Sequence, residues 1–421
     1  MRKLGLILLA VVMIVPAVLA GIPINDQVSI DGNMRWRSEI KRSSGEEFNG
    51  DAGMNEFQTL RTQIGIKVMA SEDVLFRVKF KESRYLGIQG SNKAASVGFQ
   101  AQEAYMCMKN FISPNMGLRV GRYEMWYGRK RVMGTGGWNI NGPRTYDAVT
   151  VKYGNDSMKW DFSYARTSSS NVPAEAGLQD HHLFIIAGKL MKGNLQPMIL
   201  IDWDAQTYSI DDPATENVVD PTRTNDMTFT PAVYFKHKMG GIQLDADVAV
   251  QMGSRQMKDV FGYLIAADLS YTVDNAMKPK FGVGVDITSG NNSYTQDADK
   301  DAQILLPYMS RHLYRGFMDY FKDVDQGLMD GIFRFSIKPG KNYSLSLDVH
   351  NFMYMTDEYV DASDPDTKYT QLGQEIDVRY KRTLAKGLGL DVAYCVFMAS
   401  EDYKVDADMA SFAYIALTAK F

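Results

Sequence analysis

Residues 242–252 read Ile-Gln-Leu-Asp-Ala-Asp-Val-Ala-Val-Gln-Met, with an apolar side chain at nearly every second position. Ile242, Leu244 and Val248 fall on one face of an extended chain and Asp245 and Asp247 on the other, because successive side chains of a β-strand point to opposite sides. Segments of this kind, about ten residues long, recur along the whole chain, which is typical of a transmembrane β-barrel. A soluble β-sandwich alternates in the same way, so the period alone leaves both folds open.

The connections between these segments favour the membrane barrel. Short turns, at 70–73, 154–157, 192–194, 239–241, 274–277, 339–341 and 385–386, alternate with mostly longer polar stretches at 43–55, 84–99, 124–144, 167–180, 205–226, 291–328 and 357–371. Outer-membrane barrels have short periplasmic turns and long extracellular loops. The sequence therefore predicts an all-β fold, a transmembrane antiparallel up-and-down barrel of about 18 strands. The strands are expected near 27–41, 57–69, 74–83, 100–109, 117–123, 145–153, 158–166, 182–190, 195–204, 227–238, 242–253, 260–272, 279–289, 329–338, 343–354, 372–382, 388–398 and 411–421.

The two ends of the chain carry export and assembly features. Arg2 and Lys3 precede an apolar run and small residues up to Ala20, a pattern that predicts a signal peptide at 1–20 and a mature barrel at 21–421. An uncleaved N-terminal anchor is the alternative. The last strand ends on Phe421 and resembles the closing strand of bacterial outer-membrane barrels, which implies recognition by the barrel-assembly machinery. Beyond residue 20 no apolar run has the length of a transmembrane helix, so the sequence excludes a helical membrane protein.

Composition limits the partners and the chemistry. The chain has 46 Lys and Arg against 50 Asp and Glu, so nucleic acid is not an expected partner. Two distant cysteines give no disulfide framework and no metal-ligand spacing, and no cofactor is predicted. A hydrolase needs a nucleophile, a base and an orienting group, and no histidine stands in such an arrangement among His181, His182, His237, His312 and His350. We therefore expect a protein that is not an enzyme, with an outer-membrane hydrolase as the least favoured alternative.

If the apolar face meets lipid, the polar face lines the pore, and its charges are unevenly distributed. Strands one to five present Glu39 and Glu103 against ten cations: Arg35, Arg37, Lys41, Arg61, Lys67, Arg77, Lys79, Lys81, Lys109 and Arg119. Strands nine to thirteen present Lys236 and Lys280 against six carboxylates: Asp202, Asp204, Asp245, Asp247, Asp268 and Asp286. Opposed charged walls predict a transverse field that orients dipolar solutes and favours a carboxylated sugar along the basic side. Mutual neutralisation of neighbouring charges is the alternative.

A second group of charged residues surrounds the 124–144 stretch. If that stretch folds inward, a constriction is expected from Arg122, Arg129, Arg131, Arg144 and Asp147; a surface loop is the alternative. Trp126, Tyr127 and Trp138 fit either sugar-stacking platforms or an aromatic girdle at the membrane interface, and the girdle is favoured. A late strand adds the pore-lining candidates Glu375, Asp377 and Arg379.

Three stretches resemble the alginate-export family of outer-membrane porins, taken in the broad sense. The first is Val120-Gly-Arg-Tyr-Glu-Met-Trp-Tyr-Gly-Arg-Lys-Arg131, continuing through Trp138 to Arg144-Thr-Tyr-Asp147, with Tyr123 and Tyr146 in place of the usual Gln and Phe and Ala148 in place of Gly. The others are His312-Leu-Tyr-Arg-Gly-Phe-Met-Asp-Tyr-Phe321 and Leu372-Gly-Gln-Glu-Ile-Asp377. The resemblance implies an 18-stranded monomeric pore that passes solutes, in the founding members an acidic exopolysaccharide.

Taken together, the sequence predicts an outer-membrane porin that contacts lipid and passes sugars or anionic oligosaccharides through a charged lumen. The solute itself and the direction of transport stay open. The alternative is a structural or adhesive barrel plugged by its own loops, with 291–328 as the plug.

Overall fold

The computed structural model describes residues 22–42, 54–87, 96–167, 180–208, 222–292, 297, 299–321, 324–361, 364–404, 407 and 409–421. The predicted signal peptide at 1–20 and much of the predicted loops at 43–55, 84–99, 167–180 and 205–226 lie outside these residues.

Eighteen antiparallel strands, numbered here β1–β18, form the wall, and each pairs with its neighbours in the sequence. The sheet closes because β18 pairs with β1, with Leu417 opposite Trp36. The predicted 18-stranded barrel is confirmed. The strands are Val28–Arg42, Asn55–Met69, Val74–Tyr85, Ser96–Lys109, Met116–Tyr123, Tyr146–Gly154, Lys159–Thr167, Asp180–Lys189, Leu195–Tyr208, Thr222–Met239, Ile242–Arg255, Lys258–Thr272, Lys280–Thr288, Leu328–Gly340, Tyr343–Asp361, Asp364–Ala385, Leu388–Ala399 and Ala410–Lys420.

A few short elements complete the secondary structure of the described residues. The two-residue strand Ile22–Pro23 pairs with β1, and Lys300–Asp301 pairs in parallel with the start of β12. Single 3-10 turns lie at Met191–Gly193 and Arg311–Leu313. Within the described part of the chain, no helix is long and apolar enough to span a membrane.

One predicted loop is an extended hairpin instead. Residues 357–371 were expected to form a polar connection, but β15 continues to Asp361 and β16 begins at Asp364, with these two residues paired. Polar residues do not end a strand when the neighbouring strand continues to supply hydrogen-bond partners beyond the membrane. The prediction of a loop was therefore wrong. The polar composition of this stretch indicated that it is exposed to water, but it gave no information on whether the backbone is extended.

The two faces of the wall differ as the alternation predicts. On β11, Val248 is 42% exposed on the outside, while Asp245 and Asp247 on the inside are almost fully buried. Carboxylates are buried inside a barrel only when other parts of the chain fill its lumen and pair with them. Two connections do so here.

The lumen contains loop A, residues 124–145, and loop B, which comprises residues 289–327 apart from 293–296, 298 and 322–323. Both carry buried apolar side chains, such as Met133 in loop A and Tyr308 in loop B. These pack against Leu183 and Ile185, which point inward from β8. The prediction of a polar inner face is therefore wrong at β8, where residues 183–187 are apolar on both faces. A second apolar cluster joins loop B to β15, β17 and β18.

Candidate channel lumen and its internal loops

The basic residues of β1–β3 bind the backbone of loop A. Arg35 and Arg37 donate to the carbonyl oxygen of Trp138 at 2.9 and 2.7 Å, and Arg61 donates to that of Gly137 at 3.0 Å. Lys81 donates to the carbonyl of Asn141 at 2.5 Å. A loop inside a barrel cannot complete its own hydrogen bonds, so these cations satisfy carbonyl groups that would otherwise be buried without partners.

The acidic wall binds the side chains of the same loop. Arg131 is 1% exposed and pairs with Asp286 and, at 3.2 Å, with Asp247. Arg129 pairs with Asp268 at 2.5 Å. Burial disfavours the charge of Arg131, but Asp286 and Asp247 outweigh that effect and hold its pKa above the ordinary value. Loop A thus spans the lumen from the basic wall to the acidic wall.

Three other basic residues of the early strands, Arg77, Lys79 and Arg119, also have partners. Arg77 pairs with Asp31 at 2.6 Å and Glu103 at 3.0 Å. Lys79 bridges Glu103 and Glu124 at 3.1 and 3.2 Å. The guanidinium of Arg119 lies 5.0 Å from the ring centres of two inward-facing tyrosines, Tyr105 and Tyr123. At Arg77 and Lys79 the neighbouring carboxylates neutralise the cations, as the alternative to a free transverse field expected.

Loop B docks on the late-strand carboxylates. Glu375 accepts a hydrogen bond from the backbone N–H of Met318 at 2.9 Å, and Asp377 accepts one from that of Phe317 at 3.2 Å. Both carboxylates are buried, so they do not face an open pore. The contact joins the His312–Phe321 stretch to the Leu372–Asp377 stretch, so the two motifs form one site in the fold.

A stacked column connects the two loops to the wall on both sides of the seam between β18 and β1. The ring of Trp138 lies 4.1 Å from that of His312, which in turn lies 5.0 Å from that of Phe317. Arg37 and Arg379 cap the column at 4.0 and 5.1 Å. Trp138 therefore lies inside the barrel, and so does Tyr127, whose hydroxyl contacts the inward-facing Asp161. The favoured interpretation of these aromatic residues as a membrane girdle is wrong at both positions.

Two predicted pore residues face outward. Arg122 and Asp147 pair with each other at 2.6 Å and are about half exposed. Their neighbours Tyr123 and Tyr146 point inward and are almost fully buried, and adjacent residues of a strand face opposite sides. The prediction that Arg122 and Asp147 line the lumen is corrected accordingly. Alternation from the inward-facing Arg119, three residues before Arg122, would have given this outward orientation.

The remaining predicted residues lie in the lumen in different settings. Arg144 is exposed and lies 5.5 Å from the Tyr308 ring, and burial raises the pKa of the Tyr308 phenol well above its ordinary value. Asp245 accepts a hydrogen bond from Tyr234 at 2.6 Å. Arg379 pairs with Asp391 at 2.5 Å.

Lysines dominate the inner face at the end of the barrel where the short turns lie, called here the turn end. The even-numbered strands, β2 to β18, end there, and each of them except β12 has an inward-facing lysine close to its last residue. Next to β12, the lysine is instead the first residue of β13. None is buried. We call these residues the lysine ring: Lys67, Lys109, Lys152, Lys189, Lys236, Lys280, Lys338, Lys381 and Lys420. The sequence analysis singled out only some of them, although a lysine within five residues of a short turn is a repeating signal.

Part of the ring borders a cavity of about 540 Å³. It is lined by Lys338, Lys381 and Lys420, with Lys341 from a short turn, Arg382 from β16 and one carboxylate, Asp391. This is a strongly cationic cavity at the mouth of the lumen.

Residues 26–413 of the sequence match the profile of the alginate export family.

The chain belongs to the alginate export family. No protein of curated function matches its sequence. Its fold is similar to that of the BenF-like porin from Pseudomonas fluorescens Pf-5, with a TM-score of 0.62 and 10% identity over 95% of this chain and 100% of that one. It also resembles OccAB1 of Acinetobacter baumannii, with a TM-score of 0.60 and 11% identity over 93% of this chain and 96% of that one. A third similar structure is OccK11 (OpdR) of Pseudomonas aeruginosa, with a TM-score of 0.58 and 11% identity over 96% of this chain and 99% of that one.

Family and fold together identify this alginate export family member as an outer-membrane channel. The predicted family and barrel class are confirmed. A channel fold agrees with the expectation of no enzymatic role, and its outward apolar face agrees with contact to membrane lipid. In such barrels the turn end is periplasmic.

Proposed function

We propose that the protein is a monomeric, anion-selective channel that passes carboxylated sugars or oligosaccharides across the outer membrane. The observation that supports this is the lysine ring at the periplasmic mouth. Rings of Lys or Arg favour anions in pores, because a ring of one sign raises the local concentration of the opposite ion. Lysine is a flexible, hydrated point charge, which suits attraction without tight binding.

The ring replaces the selectivity region that the sequence first indicated. Arg35, Arg37 and Arg61 bind loop A carbonyls, so their charges are engaged within the protein. The ring lysines are at least partly exposed and lie at inward-facing positions at the mouth of the lumen, which a solute passes in either direction. At physiological salt, screening confines each charge to about 8 Å. Position along the pore therefore matters more than the net charge of the chain.

The test removes charge from one side of the ring. The triple variant Lys338→Gln, Lys381→Gln, Lys420→Gln is expected to lower the anion-to-cation permeability ratio, measured by the reversal potential in a planar bilayer under a salt gradient. The matched control, Lys192→Gln, Lys278→Gln, Lys386→Gln, removes the same charge from turns at the same end and should leave the ratio near the wild-type value. An equal shift in both triples would contradict the proposal.

One observation favours a second candidate, a barrel closed by its own loops. Loops A and B contact each other through Trp138 and His312, and each is bound to the wall, loop A at Asp247 and loop B at Glu375. Single-channel recording separates the two functions: discrete open-channel currents support a channel, and their absence in correctly folded protein supports the plugged barrel.

Delivery to the membrane depends on the predicted signal peptide. We propose that residues 1–20 are removed and that the mature chain begins at Gly21. N-terminal sequencing of the protein from the outer-membrane fraction is expected to read Gly-Ile-Pro-Ile, and a sequence beginning at Met1 would show an uncleaved anchor.

A further inference from the structure

An exposed tryptophan of loop A lies inside the lumen. Trp126 follows Met125, which is buried in the apolar cluster against β8, and precedes Tyr127, whose hydroxyl contacts the inward-facing Asp161. The chain on both sides of Trp126 is therefore inside the barrel, so the membrane girdle is the wrong interpretation for this residue as well. Trp126 is nevertheless 46% exposed. An exposed indole offers the apolar face of its ring to a solute.

A tight turn in loop A places a lysine beside this indole. The N–H of Lys130 donates to the carbonyl oxygen of Tyr127 at 3.0 Å, and Gly128 within the turn has a φ of +53°, a conformation that glycine tolerates best. Arg129 and Arg131, on either side of Lys130, pair with carboxylates of the acidic wall. Lys130 instead lies at the indole, with its ammonium nitrogen 5.0 Å from the ring centre.

A second lysine reaches the same ring from the wall. Lys189 of β8, a member of the lysine ring, has its ammonium nitrogen 5.5 Å from the ring centre of Trp126. Within the described part of the chain, neither Lys130 nor Lys189 has a carboxylate at ion-pairing distance. A cation–π contact at an exposed site is weak, whereas a charge-assisted hydrogen bond to a carboxylate is stronger. Both ammonium groups are thus available to an acidic ligand that reaches the indole.

A cavity of about 190 Å³ adjoins this group of side chains at the turn end. Lys189 borders both the cavity and the indole, and the register places Lys159 of β7 directly opposite Lys189. Lys152 also lines the cavity, where it pairs at 3.5 Å with Asp161. Among the described residues of the lining, lysines outnumber carboxylates. The surroundings of the indole are therefore positively charged, which favours a ligand that carries a carboxylate.

We propose that Trp126, Lys130 and Lys189 form a binding site for one ring of a carboxylated sugar, just inside the periplasmic mouth. The C–H face of the sugar stacks on the indole, whose π surface carries partial negative charge, and the two lysines bind the carboxylate. A neutral sugar gains only the stacking, and a small inorganic anion gains only the charge contacts. The site rests on the proposed function, because its ligand is the solute of that channel.

The test compares two sugars that differ only in charge. The mature protein, purified in a non-ionic detergent, is titrated by calorimetry with a trisaccharide of uronic acids and with the neutral hexose trisaccharide of the same linkage. The wild type is expected to bind the acidic trisaccharide more tightly. We expect Trp126→Leu to weaken that binding about tenfold, which is about 1.4 kcal/mol, because it removes the ring and no charge. Lys130→Gln with Lys189→Gln should abolish the preference for the acidic trisaccharide.

The matched control is Trp203→Leu, which removes a partly exposed indole from the outer face of β9. It should bind both trisaccharides as the wild type does. Undiminished binding in Trp126→Leu, or an equal loss in Trp203→Leu, would overturn the proposal. Equal affinity of the wild type for the two trisaccharides would also overturn it. If Trp126→Leu fails the heat-modifiability test for a folded barrel, Trp126→Phe keeps a smaller ring and should show a smaller loss, and wild-type affinity there would overturn the site.

A failure of the proposed function would appear in a different measurement. The reversal potential of the wild type reports the anion selectivity of the pore and involves no sugar, whereas calorimetry needs no current. A cation-selective pore whose sugar binding depends on Trp126 would refute the proposed selectivity and support the site. An anion-selective pore with undiminished binding in Trp126→Leu would support the selectivity and refute the site.

Discussion

Gly316 shows how one residue fixes a loop inside the barrel. Its φ is +71°, a left-handed conformation that side chains disfavour, and an added Cβ would lie 2.5 Å from the carboxylate of Glu375. The missing side chain lets the backbone approach β16 closely enough for Met318 to donate to Glu375. Glycine is the residue type that tolerates both requirements. The His312–Phe321 motif is therefore a docking element, since its glycine brings the chain against a buried carboxylate.

We expect Gly316→Ala to loosen loop B without unfolding the barrel. Backbone strain of this kind costs about 1–3 kcal/mol, and a change of 1.4 kcal/mol in local opening corresponds to about tenfold faster cleavage by trypsin at Arg311 or Arg315 when opening limits exposure. The measurement is limited proteolysis of the protein in detergent. Gly331→Ala is the control, because nothing lies within 4 Å of its Cβ position. Wild-type cleavage rates in Gly316→Ala would show that loop B is held elsewhere.

At the scale of the element, each strand faces lipid on one side and a packed, charged interior on the other. The residues of β11 show this most clearly, with Val248 exposed outward and Asp247 bound to Arg131 inward. The same alternation thus has two different physical causes, burial of apolar groups in lipid and pairing of charges inside. A one-residue shift in register would exchange the two faces and lose both.

The lipid-facing side can be tested on β11. Val248→Arg is expected to destabilise the folded barrel by about 2–4 kcal/mol, because a charge near the bilayer midplane is poorly solvated. Urea unfolding in lipid bilayers gives the free energy. Val248→Leu keeps an apolar surface and should cost less than about 1.5 kcal/mol, and the lumen-facing Lys381→Gln should also cost less. A larger loss for Lys381→Gln than for Val248→Arg would reverse the assignment of the faces.

At the scale of the whole molecule, the seam between β18 and β1 closes the wall. Phe421 exchanges two backbone hydrogen bonds of 3.1 Å with Gly32 on β1. Its ring lies across Gly32, where an added Cβ would be 2.6 Å from the ring. Closure removes the two sheet edges that would otherwise expose unpaired backbone groups to lipid. The last residue therefore contributes directly to closing the barrel.

Deletion of Phe421 should impair closure and assembly, because it removes both hydrogen bonds and the aromatic contact with Gly32. The measurement is the fraction of membrane-associated protein with the heat-modifiable mobility of a folded barrel. Phe421→Tyr keeps the aromatic ring and should assemble close to wild type. Normal assembly of the truncated protein would show that the terminal aromatic residue is dispensable at the seam.

The sequence by itself determined the barrel, its number of strands and, for most strands, which side chains face lipid and which face the lumen. These follow from a local rule, since alternation within ten residues is enough to place a strand between lipid and an interior. It also placed Asp247 and Asp286 inward and linked three motifs to one family. It did not determine the partners of those charges, because a partner such as Arg131 lies more than a hundred residues away in the chain.

Only the tertiary structure decided which charges are available to a solute. Arg61 and Lys381 both belong to inward-facing positions, yet Arg61 is held by a loop A carbonyl while Lys381 faces the periplasmic mouth. The difference arises because loop A crosses the lumen near β2, and neither alternation nor composition encodes where a connection will rest.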